Sequence, residues 1–299
     1  MDLTSKSVIK RLLKKYGVRP FKGWGQNFLI DKQVLKRVIE SAGLEPSDIV
    51  LEIGPGIGTL TLELAKRVHP IKSLRGKFNG AGKVIAVEKD KKMCQILKEM
   101  LNCWNVRNVE IVQGDILKLD PKTYILKPYK IVANLPYYIV APVIRKFLEQ
   151  LETRPLTMVL MVQKEVAQRI CAKPPDMSIL AISVQFYAKP EILFYVPKNS
   201  FWPQPKVDGA ILRISRICTN LPRIDTNLFF KIVRAGFSQP RKQIANNLSK
   251  MLALSLPNGL KLNKERVKKW LLENGIKPTQ RAETLTIKDW VELTKGFNF

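Results

Sequence analysis

A chain of 299 residues with 45% hydrophobic content is long enough to bury a large α/β core and still form a second, smaller domain. Its 51 Lys and Arg stand against 25 Asp and Glu, a formal net charge of +26, which exceeds what solubility requires and points to a polyanion, nucleic acid first. No run approaches the roughly 20 apolar residues of a membrane span. Four scattered cysteines (Cys94, Cys103, Cys171, Cys218) and a single histidine, His69, argue against a metal site and against imidazole chemistry. The expectation is a soluble, cytoplasmic monomer with reduced thiols and no metal.

Taken in chain order, the first predicted element is a short basic helix from Ser5 to Tyr16, where Val8, Ile9, Leu12 and Leu13 recur at helical spacing among lysines and an arginine. Up to Arg37 there are ten Lys/Arg and two Asp, an electropositive flank. Its composition resembles a transit peptide. It runs without a spacer into the glycine-punctuated loop Gly23 to Asp31, however, and is therefore read as part of the mature fold. Asp31 is placed to cap a helix from Lys32 to Ser41, and Gly43 to end it.

Strand and helix patterns then alternate: strand Ile49 to Ile53, helix Thr59 to Arg67, strand Val84 to Val87, helix Lys91 to Leu101, strand Val109 to Val112. They continue as strand Lys130 to Ala133, helix Val140 to Leu151 and strand Leu156 to Val162. Such alternation predicts a parallel, doubly wound sheet. Between His69 and Lys83 a stretch rich in Gly and Lys breaks the series as a surface insertion, either solvated or in touch with a polyanion.

Helices from Lys164 to Cys171 and about Ser178 to Tyr187 precede strands Ile192 to Val196 and Val207 to Ser215. Phe201 and Trp202 lie in the linker between those strands. From Ile224 the pattern is helical: Thr226 to Phe237, Arg241 to Leu254, Lys264 to Asn274 and Ile287 to Gly296. This part carries fourteen Lys/Arg and six Asp/Glu. The expected domains are 1–223 and a basic helical 224–299.

Leu51 to Thr59 (LEIGPGIGT) sets Gly54, Gly56 and Gly58 between a strand and a helix, where backbone can approach a ligand closely. A dinucleotide fingerprint would need glycine at Thr59, and the Lys-Ser/Thr ending of a P-loop is missing, so the spacing favours a ligand with a carboxylate and an ammonium. Glu88 ends the next strand, where a carboxylate can accept both hydroxyls of a ribose. Asp115 ends the third and can accept from an adenine amino group. An adenosine bearing an amino acid, S-adenosylmethionine, satisfies all three strand ends. At the fourth, Asn134-Leu135-Pro136-Tyr137 is either a simple strand-ending turn or a holder for a planar amine.

The runs GQNFLID, LEIGPGIGTLT, VEKD, GDIL, NLPYYI, FWPQPKVDGAIL, AGFSQPRKQIANNL and RAETL, in this order, resemble the ribosomal RNA adenine dimethyltransferase family of the small subunit. The resemblance implies a Rossmann-like class I methyltransferase with a mainly parallel seven-stranded sheet and a small all-helical C-terminal domain. It implies dimethylation of two adjacent adenosines near the 3′ end of small-subunit ribosomal RNA, in an immature 30S-type particle, with S-adenosylmethionine as methyl donor. Carried onto this sequence, the donor contacts are Asn27, Leu29, Gly54, Gly56, Glu88, Asp115 and Asn134. The acceptor site is Asn134, Leu135, Pro136 and Tyr137 with Phe201.

In that reading the Asn134 side chain and the Leu135 carbonyl accept the amine hydrogens, Pro136 stiffens the turn, Tyr137 and Phe201 hold the ring, and Tyr138 packs or lines the rim. The insertion after His69 is longer than in many relatives, and Gly209 stands where serine is frequent. The related erythromycin-resistance enzymes act on large-subunit RNA and usually carry isoleucine where Leu135 stands. An RNA-binding assembly or transcription factor is the reading from another class.

Overall fold

The computed structural model describes residues 1–19, 26–69, 71–72, 78–79, 82–125, 128–217, 222–255 and 263–297. Gly23, Trp24 and Gly25 of the glycine-punctuated loop lie outside the described residues. Of the insertion after His69, the described pieces include a short antiparallel pairing of Ile71–Lys72 with Phe78–Asn79.

The run Ile-Val-Leu-Glu-Ile is buried at all five positions, as a strand covered on both sheet faces must be, and forms β1 (Ile49–Ile53). It is followed by β2 (Lys83–Glu88), β3 (Val109–Gln113), β4 (Tyr129–Asn134), β5 (Thr157–Gln163), β6 (Lys189–Val196) and β7 (Gly209–Ser215). Their spatial order is β3-β2-β1-β4-β5-β7-β6. The first five run parallel, while β7 is antiparallel to both β5 and β6. The seven-stranded, mainly parallel sheet expected for the family is therefore present. The direction of travel reverses between β1 and β4, and in open α/β sheets such a switch point opens a ligand crevice beyond the strand ends. The register sets Ile53 opposite Val87, Glu88 opposite Gln113 and Asn134 opposite Met161, so the tips of β1 to β4 emerge along one edge.

One face of the sheet is covered by α2 (Lys32–Ser41) and α3 (Thr59–Arg67), whose Leu35, Val38, Leu60 and Leu64 pack on Val50, Val132 and Val159. Packed around Ala86, α1 (Lys6–Lys15) and α4 (Lys91–Cys103) form a second apolar cluster in which Ile9, Leu12 and Leu13 meet Met93, Ile96 and Leu97. Each such buried side chain contributes about 1.5–3 kcal/mol relative to exposure, so the basic N-terminal helix is an integral part of the core. Asp31 caps α2 as its position predicts, accepting from the amides of Gln33 and Val34.

The predicted helix Val140 to Leu151 is interrupted. It is α-helical as α5 (Val140–Arg145), then widens into a π-type turn over Lys146–Gln150. Lys146 turns its ammonium onto backbone carbonyls of a neighbouring loop there. After β5 come α6 (Lys164–Ile170) and α7 (Ile179–Gln185), and after β7 come α8 (Thr226–Gly236), α9 (Ile244–Ser255), α10 (Lys264–Glu273) and α11 (Ile287–Lys295). The helix predicted from Arg241 starts at Ile244, whose amide donates to the Gln280 carbonyl at 2.8 Å. Gly275, at φ +72°, ends α10, and Thr286 with Asp289 closes a capping box on α11.

By packing, the chain divides into two compact units, Met1–Ala167 with Ala188–Ile217, and Gln168–Tyr187 with Cys218–Phe299. The sequence reading draws one boundary at Ile224 and leaves 168–187 with the sheet. That segment groups with the helical unit because Phe186 stacks on Phe229 with ring centroids 4.4 Å apart and Tyr187 on Phe230 at 6.1 Å. No helix among the described residues is long and apolar enough to cross a membrane.

Candidate active site

The tips of β1 to β4 open into a cavity of about 470 Å³. Its floor is the turn after β1, where Gly54, Gly56 and Gly58 all take positive φ (+70°, +56° and +92°), a conformation that side chains oppose. At Gly58 a Cβ would also stand 2.6 Å from Leu97 Cδ1, so any other residue would push that buried side chain of α4 aside.

The Gly54 amide donates to the Val87 carbonyl at 2.9 Å and the Gly56 amide to Glu88 Oε2 at 3.0 Å. Glu88 Oε1 accepts from the Asp90 amide at 2.9 Å. Each carboxylate oxygen is thus fixed by one backbone donor and keeps lone-pair capacity for a second, which suits a pair of vicinal hydroxyls. Burial raises the Glu88 pKa, against the pull of the Asp90 and Gly56 amides. At the next tip, Asp115 Oδ1 accepts from the Leu117 amide at 3.0 Å and Oδ2 from Lys89 Nζ at 3.1 Å. Partial burial pushes its pKa up, but those donors outweigh it and the carboxyl lies below its ordinary value.

Glu52 also lines the cavity, and the sequence reading gives it no role. It is 1% exposed, and its Oε2 has no hydrogen-bond partner among the described residues. Burial pushes its pKa up to about 8, opposed by the Thr61 hydroxyl and reinforced by the charge of Glu88. The available signal was a lone acid inside an otherwise apolar strand.

On the β4 side, Asn134 Nδ2 donates to the Asn27 carbonyl at 3.2 Å. A carbonyl can only accept, so this bond sets the orientation of the amide and leaves Oδ1 as its acceptor end. The Leu135 amide donates to the Met161 carbonyl at 3.2 Å, which carries the parallel pairing of β4 with β5 to the last residue before Pro136. Tyr138, 56% exposed, stands at the rim.

The cavity wall brings together Asn27, Leu29, Gly54, Gly56, Glu88, Asp115, Asn134 and Pro136, but Leu135, Tyr137 and Phe201 do not line it. Leu135 is buried. Tyr137 is half-buried, its pKa raised by desolvation and then by Glu165 and Asp208. Phe201 is only 3% exposed and packs in the core cluster with Leu29, Met161 and Val196. The cause is local: Phe201–Trp202 pairs antiparallel with Phe28–Leu29, which turns the Phe201 ring inward. Among the described residues there is no group of three or more His, Cys, Asp or Glu that could hold a metal ion.

The chain matches the family model described as ribosomal RNA adenine dimethylase over residues 21–298. It is 41% identical over 290 residues to a ribosomal RNA small subunit methyltransferase A of Dehalococcoides mccartyi (strain CBDB1), covering 95% of this chain and 90% of that one. A protein of the same description from Geobacillus kaustophilus (strain HTA426) is 39% identical over 305 residues, covering 99% and 97%. Among solved structures, a dimethyladenosine transferase from Plasmodium falciparum superposes with a TM-score of 0.70 at 27% identity, covering 90% of this chain and 96% of that one. The 23S rRNA methyltransferase ErmE does so with a TM-score of 0.66 at 26% identity, covering 90% and 99%.

Proposed function

The chain belongs to the ribosomal RNA adenine dimethylase family, and from that membership we propose that it transfers methyl groups to the exocyclic amines of two adjacent adenosines near the 3′ end of small-subunit ribosomal RNA. The observation that carries this reading is the Asn134 amide, oriented by the Asn27 carbonyl beside a cavity whose other strand tips present Glu88 and Asp115.

The cavity residues fit S-adenosylmethionine. Glu88 would take the ribose hydroxyls, Asp115 the adenine amino group, and the unpartnered Glu52 oxygen the ammonium end. When bound, that molecule supplies a methyl carried on a positively charged sulfur. The target amine is a weak nucleophile because its lone pair is delocalised into the ring. Asn134 Oδ1 and the Leu135 carbonyl accept its two hydrogens, favouring a pyramidal nitrogen with its lone pair aimed into the cavity. Positioning of this kind supplies much of a rate without a strong general base.

The target base must leave its helix to enter. Tyr137 and Phe201 then sandwich it, each contact worth ~1–3 kcal/mol. Both rings lie off the cavity wall, so the turn at Asn134 and the Phe201–Trp202 strand adjust when RNA binds.

The small-subunit assignment rests on relatives so named at 41% and 39% identity, against 26% for the large-subunit enzyme. The RNA address lies in the basic N-terminal flank and in the helices of 224–299, and the particle is an immature 30S-type subunit met by a cytoplasmic monomer. The test is to incubate the protein with labelled donor and either immature small subunits or mature large subunits, then map the modified nucleotide. Label on paired adenosines of the small subunit is expected. Label on the large subunit refutes the assignment, and binding without any methyl transfer supports the accessory-factor reading instead.

A further inference from the structure

The loop after β3 forms the wall around Asp115. Its amides are used within the loop: Leu117 donates to Asp115 Oδ1, and Lys118 and Leu119 donate to the Asp115 carbonyl at 2.8 and 3.0 Å. The turn leaves its own carbonyls to be satisfied elsewhere, and two of them, Ile116 and Leu119, are taken by one group. Lys146 Nζ donates to the Ile116 carbonyl at 2.8 Å and, in a short bond, to that of Leu119. The two acceptors are three residues apart, one turn of the loop, and the ammonium ties them together.

This lysine is unusual in two further respects. It is 7% exposed and forms no ion pair among the described residues. Desolvation pulls its pKa down, while the charges of Asp120 and Asp115 pull the other way. A charge is rarely buried without compensation. The helix also widens into its π-type turn starting at Lys146, and such local widening is frequent at functional sites. Asp115, Ile116 and Leu117 line the cavity, whereas Lys146 does not.

We propose that Lys146 is a positioning residue for the nucleobase of the methyl donor: by bracing the Ile116 and Leu119 carbonyls it sets the Asp115 to Leu117 wall against which that base rests. This rests on the reading of the cavity as the donor site. A long apolar replacement leaves two carbonyls without their donor, the turn relaxes, and Asp115 loses its fixed aim. The chemistry at Asn134 lies on another strand and keeps its geometry.

The test compares wild type with Lys146→Met, Lys146→Gln and Lys146→Arg. Binding is measured for S-adenosylmethionine and for 5′-methylthioadenosine, which has the nucleoside but no amino acid, alongside kcat and KM for donor and RNA. For Lys146→Met, binding of both ligands weakens about tenfold and donor KM rises equally, while kcat at saturating donor and KM for RNA stay within twofold. Lys146→Gln, with one amide in place of the ammonium, loses less, and Lys146→Arg restores most of the affinity.

A folded Lys146→Met that binds both ligands within twofold of wild type overturns the proposal. So does a fall in kcat with donor KM unchanged, which is what loss of folded protein would give. If Lys146→Met does not fold, Lys146→Gln decides by the same split. Wild type that binds neither ligand would sink the donor-site reading itself, whereas wild type that binds both beside an equally competent Lys146→Met sinks only the role of Lys146.

Discussion

Glu52→Gln isolates the energetic consequence of enclosing an acid under the glycine turn. Raising its pKa from the ordinary 4.5 to about 8 corresponds, at about 1.4 kcal/mol per tenfold change in proton affinity, to a ceiling of roughly 5 kcal/mol. Because the folded-state value is raised, the stabilising contribution of the protonated form is intact below pH 4.5 and is lost progressively as pH rises to about 8. Water entering the cavity relaxes the burial penalty, so less than half the ceiling, roughly 2 kcal/mol, is the expected size. Glutamine has nearly the same shape and stays neutral throughout.

In the donor-free protein the Tm of Glu52→Gln should therefore match wild type near pH 5 and exceed it by about 4–8 °C at pH 8.5, at 2–4 °C per kcal/mol for a unit of this size. Scanning calorimetry across that range is the assay. With saturating S-adenosylmethionine the gap should shrink, since an ammonium facing Glu52 favours its charged form. Parallel Tm curves for the two donor-free proteins from pH 5 to 8.5 would refute the account of Glu52 as an enclosed acid.

Asn134→Ala should lower methyl transfer by about 100-fold, the usual scale for one lost polar contact to a reacting group, with donor affinity measured separately by calorimetry; transfer near the wild-type rate would remove the amine clamp. Phe201→Ala should impair transfer on RNA while donor binding persists, and should also lower stability by about 3–5 kcal/mol because the ring is packed in the core. Phe201→Leu separates these effects, restoring most of the stability without restoring transfer; unchanged kinetics for both variants would take Phe201 out of the site. RNA affinity should fall linearly in a log–log plot against salt, and reversing the charge of Lys10, Arg11 and Lys14 should flatten that slope; an identical slope would place the RNA contacts elsewhere.

What was legible in the sequence was whatever depends on near neighbours. The largely apolar runs of β1 and β2, Asp31 ahead of α2, the Thr286–Asp289 capping box and the three glycines after β1 each carry their signal within about ten residues, and each element appears where it was expected. The cavity was readable because parallel strands deliver their tips to one edge, so Gly54, Glu88 and Asp115 converge once the order is known. Contacts between distant segments were not readable. The Asn134 to Asn27 bond spans 107 residues, and the burial of Phe201 follows from its pairing with Leu29. Lys146 reads as one more basic position on a helix until the loop carbonyls above it are seen. The grouping of 168–187 with the helical unit rests on aromatic contacts to Phe229 and Phe230, which no local pattern announces.

The pairing of Phe28–Leu29 with Phe201–Trp202 also has a temporal consequence. Every residue lining the cavity lies between Gln26 and Met161. The strand that covers Leu29 arrives forty residues later, held by Ser200 Oγ donating to Asp31 Oδ2 at 3.0 Å and by the Ile30 amide donating to the Ser200 carbonyl at 2.8 Å. During synthesis from the N-terminus, at about 5–20 residues per second, the cavity-lining segment is complete in sequence seconds before the strand that covers Leu29 leaves the ribosome. Closing so long a loop is the slow step of such topologies. A nascent chain thus passes through a stage in which it holds every residue lining the cavity but not yet the strand that packs over Leu29.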